Sequence, residues 1–299
     1  MKVFITGGSG FVGRHLLDRL LADGHHITVV GRRTRPDLPE HPLLNYLSAD
    51  TSRPGSWQAV VPDHQIVINL AGASVFKYWT ERYKQEIYAS RILTTRHLAQ
   101  ALPHAPVLFC SGSAVGYYGD RGEDILTEEE APGDDFLAKV SRDWEQEAGA
   151  AEARGARVVL TRFGIVMGEN GGALPLMVSA FRKYVGGALG SGRQWFPWVH
   201  IRDLVAAYQF IVDHAEVRGA VNFCAPKPVR NRELTHALAQ RLNRPAFLSP
   251  PAFGVRLVLG ELGASLLNSQ RVVPAKLQKF GFKFQFPTFE SALDDLING

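Results

Sequence analysis

The sequence predicts an α/β protein whose core is a doubly wound parallel sheet. Two observations lead to this prediction: short apolar runs alternate with stretches of helical periodicity, and a glycine-rich turn joins the first run to the first helix. The 299 residues are 45% hydrophobic and 21% charged, so the chain carries enough apolar side chains to cover such a sheet on both faces.

The predicted elements alternate regularly through the first half of the chain. The first strand, residues 3–6, is followed by a helix over residues 11–22, in which Leu16 and Leu20 share one face. Gly24 then stands where a glycine commonly ends a helix. The further predicted strands are 27–30, 44–47, 66–70, 107–110 and 158–160, and the further predicted helices are 81–102 and 136–153.

The pattern changes after about residue 164, where glycine pairs and prolines begin to interrupt the chain. The elements predicted there are a helix over 201–214, a strand over 220–224, a helix over 232–242 and an irregular C-terminal part. We therefore expect a sheet domain over residues 1–165 and a smaller α/β region over residues 166–299. The last part of that region, from about 247 to 299, is expected to form a small domain of its own.

Charge and composition exclude several classes of function. There are 33 Lys and Arg against 29 Asp and Glu, and no run of five like charges, so no nucleic-acid partner is expected. Prolines and glycines interrupt the longest uncharged stretch, residues 97–119, so neither a spanning helix nor a membrane partner is expected. Cys110 and Cys224 lie in apolar runs as core residues, which indicates a reducing compartment, most simply the cytoplasm. The ten histidines have no metal-ligand spacing, so no metal is expected.

The glycine-rich turn predicts a dinucleotide site of the Rossmann type. Gly7, Gly10 and Gly13 are spaced GxxGxxG directly after the first strand, and Phe11 and Val12 open the helix that follows. Glycine at these positions permits a tight turn, close approach of a pyrophosphate to the helix N-terminus, and close packing of helix on strand. The alternative is a turn that serves structure alone.

The end of the second strand predicts which dinucleotide binds. An NAD site places an acidic residue there, whereas this chain reads Gly31-Arg32-Arg33. A guanidinium suits a 2′-phosphate because it offers a planar fork of donors. We therefore predict NADP(H) as the cofactor; the alternative is that the two arginines are solvated surface charges.

At this point the sequence resembles the extended short-chain dehydrogenase/reductases. The resemblance rests on the motifs at 69–72, at 111–119 and at 198–204, and on Asp50 after the third strand. It implies that Leu70, Ala71 and Gly72 line the cofactor cleft, that Asp50 lies near the adenine, that Val166 approaches the nicotinamide, and that Ser113 is the catalytic serine. Segments 113–119, 190–200 and 269–274 resemble an atypical "epimerase family" subgroup with its own small C-terminal domain.

The resemblance fails at the catalytic pair. The larger family uses Tyr-x-x-x-Lys on a helix, where the ammonium lowers the pKa of the phenol. No tyrosine in this chain has a lysine four residues later, and Phe136 and Val140 occupy the expected positions. We expect those two side chains to be packed rather than catalytic. Tyr117 and Tyr118 follow the serine segment and are candidates either for a displaced acid/base or for walls of the substrate pocket.

Further candidates lie elsewhere along the chain. Arg91 takes the place of an asparagine that the larger family directs into its site; it is expected to bind the cofactor with Glu86 as its partner, unless the two form an ordinary surface ion pair. Arg193 is expected to contact an anionic substrate, and Trp198 to line the same pocket; the alternative is that the glycines of this segment only form turns and its tryptophans only pack. His200 is a substrate candidate because it lies in the same segment; the alternative is a structural, hydrogen-bonded histidine.

Two functions fit these residues. One is an NADP(H)-dependent oxidoreductase or sugar-nucleotide epimerase with a non-standard acid/base, acting on a nucleotide sugar or another polar carbonyl or alcohol. The first domain would hold the cofactor and the second the substrate. The alternative is a non-catalytic NADP(H)-binding sensor or interaction protein, favoured by the missing tyrosine–lysine pair. Fold analogy does not choose between them, whereas turnover does.

Overall fold

The computed structural model describes residues 1–34 and 37–298. Its strands are β1 (Lys2–Thr6), β2 (His26–Gly31), β3 (Leu44–Ser48), β4 (Ile66–Asn69), β5 (Leu108–Ala114), β6 (Ile125–Leu126), β7 (Arg157–Phe163), β8 (Ile165–Gly168), β9 (Gly171–Gly172), β10 (Trp195–Phe196), β11 (Trp198–His200), β12 (Gly219–Phe223), β13 (Val229–Arg230) and β14 (Arg271–Val272). Its helices are α1 (Phe11–Ala22), α2 (Glu81–Ala101), α3 (Phe136–Gly149), α4 (Leu174–Arg182), α5 (Ile201–Asp213), α6 (Asn231–Leu242), α7 (Ala252–Leu266), α8 (Ala275–Lys279) and α9 (Phe289–Asn298). Short 3₁₀ segments lie at Ser56–Asp63, Val115–Tyr118 and Ala150–Arg154.

Seven strands form one parallel sheet in the order β3, β2, β1, β4, β5, β7, β12. Strand β1 pairs with both β2 and β4, and Phe4 lies opposite Thr28 on one side and Val67 on the other. The strand order reverses here, so a crevice opens at the carboxyl ends of β1 and β4, where sheets of this kind bind ligands. The doubly wound parallel fold that the sequence predicts is confirmed.

The two faces of the sheet have separate cores, because successive side chains of a strand point to opposite faces. On β1, Val3 and Ile5 pack with Leu16 and Leu20 of α1, and the same core includes buried residues of α5. Phe4 points the other way, into a core formed with α2, α3 and the 3₁₀ segments next to them. Both layers bury the middle of the sheet, which leaves its carboxyl edge to carry the polar side chains of the site.

The last strand of the sheet comes from the second half of the chain. β12 pairs in parallel with β7, and Val221 lies opposite Thr161. The sheet therefore continues beyond residue 165, where the glycine pattern predicts the end of the sheet domain. Between β7 and β12 the chain forms α4, α5 and a separate three-stranded sheet in the order β11, β8, β9.

The expectation of an irregular C-terminal part is wrong, because α7, α8 and α9 occupy much of it. Two of the prolines that interrupt the sequence pattern precede helices: Pro251 is the N-cap of α7, and Pro274 is the N-cap of α8. Proline has no N–H to donate, so it is tolerated at a helix start, where N–H groups lack intrahelical partners anyway. α7 bends at Gly260, whose φ of 59° lies outside the helical range.

A further expectation, that the two cysteines are core residues, is met by the described part of the chain. Cys110 and Cys224 are both buried, free thiols in the core. Within residues 1–34 and 37–298, no helix combines the length and the apolar composition needed to cross a bilayer.

Candidate cofactor and substrate site

The turn after β1 brings backbone and helix terminus together at the crevice. Gly7 has φ +73°, and a Cβ there would lie 2.6 Å from the Leu70 carbonyl carbon. The Gly10 N–H donates to the Gly7 carbonyl oxygen at 2.9 Å. A Cβ on Gly13 would lie 2.5 Å from the same oxygen, so α1 can approach β1 this closely only through a glycine. No side chain caps α1 at Gly10, and its first turn has no acidic residue, so its N-terminal N–H groups remain available to an anion.

The ends of β2 and β3 carry exposed cations near one carboxylate. Arg32 and Arg33 are exposed, and within the described ranges neither side chain forms an ion pair. The Tyr46 hydroxyl donates to the Arg33 carbonyl oxygen at 2.6 Å and fixes the backbone there. Burial raises the pKa of Asp50, but hydrogen bonds from Ser52 and the charge of Arg32 outweigh it and hold that pKa below its usual value.

Arg91 of α2 lies across the crevice, beside the loop that follows β4. Its Nη1 donates to the carbonyl oxygens of Ala73 and Ile87 at 3.0 and 3.1 Å. A Cβ on Gly72 would lie 2.9 Å from its guanidinium carbon. Burial lowers the pKa of Arg91 to about 10. Among the described residues no carboxylate pairs with it, and Glu86, its expected partner, is exposed and apart from it.

Ser113 on β5 belongs to a buried ionic cluster. Its Oγ donates to Oε1 of Glu145 on α3 at 2.6 Å. Arg162 on β7 lies opposite Ser113 in the sheet. Its Nε and Nη2 donate to the two oxygens of the same carboxylate at 2.7 and 2.8 Å. The residues of this Arg162–Glu145–Ser113 cluster are 3%, 8% and 2% exposed. The serine hydroxyl is thus committed to an internal partner in this structure.

The two tyrosines after β5 differ in burial and in the hydrogen bonds of their hydroxyl groups. Tyr118 is fully buried, and its hydroxyl donates to Oδ1 of Asn222 at 2.7 Å and accepts from Nη1 of Arg162 at 2.9 Å. Burial raises its pKa, so neither a cleft wall nor an acid/base role suits Tyr118. The Tyr117 ring is half-buried and lies 3.5 Å from the Arg162 guanidinium carbon. No hydrogen bond joins the Tyr117 hydroxyl to the residues described, so it remains a candidate.

Phe136 and Val140 occupy the place of the missing pair, and both are packed, as predicted. The Phe136 ring meets the Trp79 ring edge-on at 5.3 Å, and Val140 is 3% exposed. Leu262 of α7 packs onto the same apolar cluster. Asp135 caps α3 and also accepts from Nδ2 of Asn268 at 2.8 Å, which ties the C-terminal part to this helix.

Comparison with known proteins agrees with this architecture. The family model described as "NAD dependent epimerase/dehydratase family" matches residues 3–224, and a second, "Domain of unknown function (DUF1731)", matches residues 250–296. This protein belongs to the NAD-dependent epimerase/dehydratase family. An epimerase family protein of Staphylococcus saprophyticus is 41% identical over 98% of both chains. A chloroplastic homolog of epimerase family protein SDR39U1 from Arabidopsis thaliana is 36% identical, over 98% of this chain and 86% of that one.

Solved structures extend the comparison. The human epimerase family protein SDR39U1, crystallised with NADPH, is 30% identical with a TM-score of 0.85 over the whole of both chains. The Thermus thermophilus UDP-glucose 4-epimerase in complex with NAD has a TM-score of 0.81 over 100% of this chain and 98% of that one. At 17% identity, the latter shares the fold only. A nucleotide cofactor is therefore supported for this member of the epimerase/dehydratase family.

The expectation that Trp198 and His200 line a substrate pocket is wrong. Trp198 is fully buried, with its Nε1 donating to the Lys227 carbonyl oxygen and its ring against Phe289. His200 is also fully buried and stacks on Phe286 at 3.8 Å. Both side chains thus face the C-terminal segment, because residues 198–200 form a strand in the interior. Arg193 is exposed and Val166 half-buried, and neither belongs to that packed group.

The sequence interpretation missed Glu145, Arg162 and Asn222. Arg162 stands inside the apolar run of β7, and a guanidinium in a buried strand needs a carboxylate partner. This pattern could have identified Arg162 as a site residue. It could not have identified the partner, since Glu145 lies on a helix with other acidic residues.

We predict that removing the negative charge of Glu145 strongly destabilises the fold. Glu145→Gln should lower the free energy of unfolding by about 3–5 kcal/mol, because it leaves the Arg162 guanidinium buried without a counter-charge. Urea unfolding measures this. The matched control is Glu147→Gln, which breaks the exposed pair with Arg96 and should cost at most about 1 kcal/mol. Equal losses in the two variants would contradict the assignment, and a Glu145→Leu/Arg162→Met double variant should recover much of the loss.

We also predict that His200 makes stability depend on pH. Burial lowers its pKa to about 4 from 6.5, so the unfolded chain binds more protons between these values. The free energy of unfolding should therefore be highest above about pH 6.5 and fall as the pH drops towards about 4, an effect that the Asp295 carboxylate, 3.3 Å from Nε2, partly offsets. His200→Asn keeps an acceptor for the Arg202 N–H, which the His200 ring nitrogen accepts at 3.1 Å, but does not titrate.

The measurement is urea unfolding at several pH values. Its control is His104→Asn, a change at an exposed histidine. The His200→Asn variant should lose part of the pH slope, whereas the His104→Asn variant should keep it. A wild-type slope retained by His200→Asn would show that other groups cause the dependence.

Proposed function

We propose that this protein binds NADP(H) at the carboxyl edge of its sheet and is an oxidoreductase or epimerase for a polar carbonyl or alcohol. The observation that carries the proposal is the uncapped N-terminus of α1 at the switch point, with exposed Arg32 and Arg33 to one side and, to the other, Arg91, which pairs with no carboxylate of the described residues. Anionic groups of a dinucleotide would compensate all of these charges.

The residues present fit the cofactor. A Cβ at Gly7 would overlap the β4 loop, so this backbone cradle depends on glycine. The α1 N-terminus would bind the diphosphate, Arg32 and Arg33 the 2′-phosphate, and Asp50 would lie beside the adenine. Gly31, Leu70, Ala71, Gly72 and Val166 would supply backbone and apolar surface around the rings.

The cofactor supplies or accepts hydride at the substrate carbon; the protein orients the reactants and handles the proton. We assign the proton to Tyr117. Its ring is fixed on the Arg162 guanidinium, which Glu145 holds in place, and its hydroxyl is not engaged by a described residue. Reduction of a carbonyl would take one proton from the Tyr117 hydroxyl to the substrate oxygen, and oxidation of the alcohol would return it. Ser113 could hydrogen-bond the substrate oxygen only if its own hydrogen bond to Glu145 were broken.

The residue proposed to bind the substrate is Arg193, an exposed cation in the glycine-rich segment before β10. It would contact an anionic group such as the diphosphate of a nucleotide sugar. UDP-glucose is the substrate named for the Thermus epimerase, a match in fold only. The second candidate function, a non-catalytic NADP(H) sensor, is favoured by the commitment of Ser113 to Glu145 and by the packed phenyl ring of Phe136.

We predict a preference for NADPH over NADH that depends on Arg32. Arg32→Glu should weaken NADPH binding roughly tenfold or more and leave NADH nearly unchanged, since a charge-assisted bond to phosphate contributes about 1.5–3 kcal/mol. Arg91→Met should weaken both cofactors alike. Arg218→Glu, on the opposite edge of the sheet, is the control. Isothermal titration calorimetry with both cofactors is the measurement, and equal affinities in the wild type would refute the NADP(H) assignment.

Turnover separates enzyme from sensor. NADPH absorbance is followed with a panel of ketones, aldehydes and nucleotide sugars, and with epimer analysis of the products. An enzyme that uses Tyr117 should lose roughly 100-fold or more in kcat on Tyr117→Phe, while its Kd for NADPH stays within experimental error. Turnover unaffected by Tyr117→Phe would transfer the proton role to another group. Tight NADPH binding with no turnover across the panel would favour the sensor.

A further inference from the structure

Large apolar side chains are exposed together in the C-terminal region. Their exposed fractions run from 41% to 82%, high values for residues of this kind. We call this surface the apolar–basic face. Its apolar members are Tyr184, Val185, Phe247, Leu248, Phe253, Leu257 and Val258, and its basic members are Lys183, Arg244 and Arg256.

Contacts between backbone segments make the face continuous. The Gly190 N–H donates to the Pro250 carbonyl oxygen at 3.0 Å, and Gly187 lies directly against the Leu248 backbone. The Arg244 guanidinium lies 5.2 Å from the centre of the Tyr184 ring. The chain from 184 to 190 therefore runs beside the chain from 244 to 252, which leads into α7.

Helix α7 presents apolar residues outward. Val255 is buried, and Leu262 packs on the cluster around Phe136. Phe253 and Leu257 are spaced four residues apart on one side of the helix and are 73% and 82% exposed. An amphipathic helix on a globular surface usually points such residues into the core. The reversed arrangement indicates that this side of α7 meets something other than water.

The charges next to the apolar side chains narrow the choice of partner. In the sequence, Arg256 follows Phe253 by three residues and directly precedes Leu257, and Lys183 directly precedes Tyr184. The acidic residue at the edge, Glu261, is bound to Lys84 at 2.9 Å. The face therefore combines large apolar side chains with positive charge, the pattern of proteins that lie on anionic membranes. A second copy fits less well, because a two-fold contact would bring like cations together.

We propose that the apolar–basic face docks on the surface of an anionic bilayer. Phe247, Phe253 and Leu257 would enter the boundary between headgroups and acyl chains, while Arg256 and Lys183 would meet lipid phosphates. This is a surface contact that needs no spanning helix. α7 also packs on the cluster of Phe136 and Trp79, so docking would bring the membrane next to the candidate substrate crevice.

The test is co-sedimentation of the full chain with vesicles. One set contains roughly equal parts phosphatidylglycerol and phosphatidylcholine, and the other phosphatidylcholine alone. The wild type should sediment with the anionic set and much less with the neutral set. Arg256→Glu should weaken binding about fivefold or more, because it replaces a cation near the surface with an anion. Leu257→Asp should weaken it about tenfold or more, because it removes a large apolar contact.

Controls distinguish docking from misfolding and from self-association. Arg218→Glu makes the same charge change at an exposed arginine beside β12, outside the apolar–basic face, and should leave vesicle binding within about twofold. Thermal unfolding and NADPH binding confirm that each variant is folded. Failure of the wild type to bind anionic vesicles overturns the proposal. So does a dimer in light scattering that Leu257→Asp converts to a monomer, since the face would then join two copies.

Discussion

The buried ion pair between Arg162 and Glu145 determines the arrangement of the site. A guanidinium inside a parallel sheet is tolerated only when its charge and its donors are satisfied. Here one carboxylate accepts two hydrogen bonds, Nη1 donates to the Tyr118 hydroxyl and to the Glu128 carbonyl oxygen, and the Tyr117 ring stacks on the guanidinium. Ser113 donates to the same carboxylate. Ser113, Tyr117 and Tyr118 are thereby assembled around an internal charge.

Buried polar groups also hold the C-terminal segment in place. The Asp203 carboxylate, at the start of α5, accepts the backbone N–H groups of Gln285 and Phe286 at 2.8 and 3.0 Å. Burial raises the pKa of Asp203 even though these bonds oppose the shift. Glu128 accepts the N–H groups of Asn222 and Lys276, and so joins a strand of the sheet to the start of α8. The C-terminal segment is thus fixed by directional bonds as well as by apolar packing.

The alternation of strands and helices along the chain and the glycine turn could be predicted from the sequence, because each depends on local patterns. α1 begins at Phe11 and ends at Ala22 as the spacing of its apolar residues and Gly24 indicate. The directions of side chains at the site could not be predicted. Trp198 and His200 lie in a motif that follows a turn, yet pairing of β11 with β8 places both in the interior. Phe253 and Leu257 look like core residues in the sequence, and only the orientation of α7 shows that they face outward.

The distribution of paired and unpaired cations separates the structural part of the site from its binding part. The charge of Arg162 is neutralised by Glu145, so replacing Arg162 would lower the free energy of unfolding. Arg91 is half-buried, and its partners among the described residues are two backbone carbonyl oxygens and the Trp144 ring, with no carboxylate. Arg32, at the far end of the crevice, is exposed and likewise unpaired within the described ranges. A bound anion at this edge of the crevice would supply the counter-charge that Arg91 lacks among the described residues, so we take Arg91 as the residue whose energetics depend most directly on a bound dinucleotide.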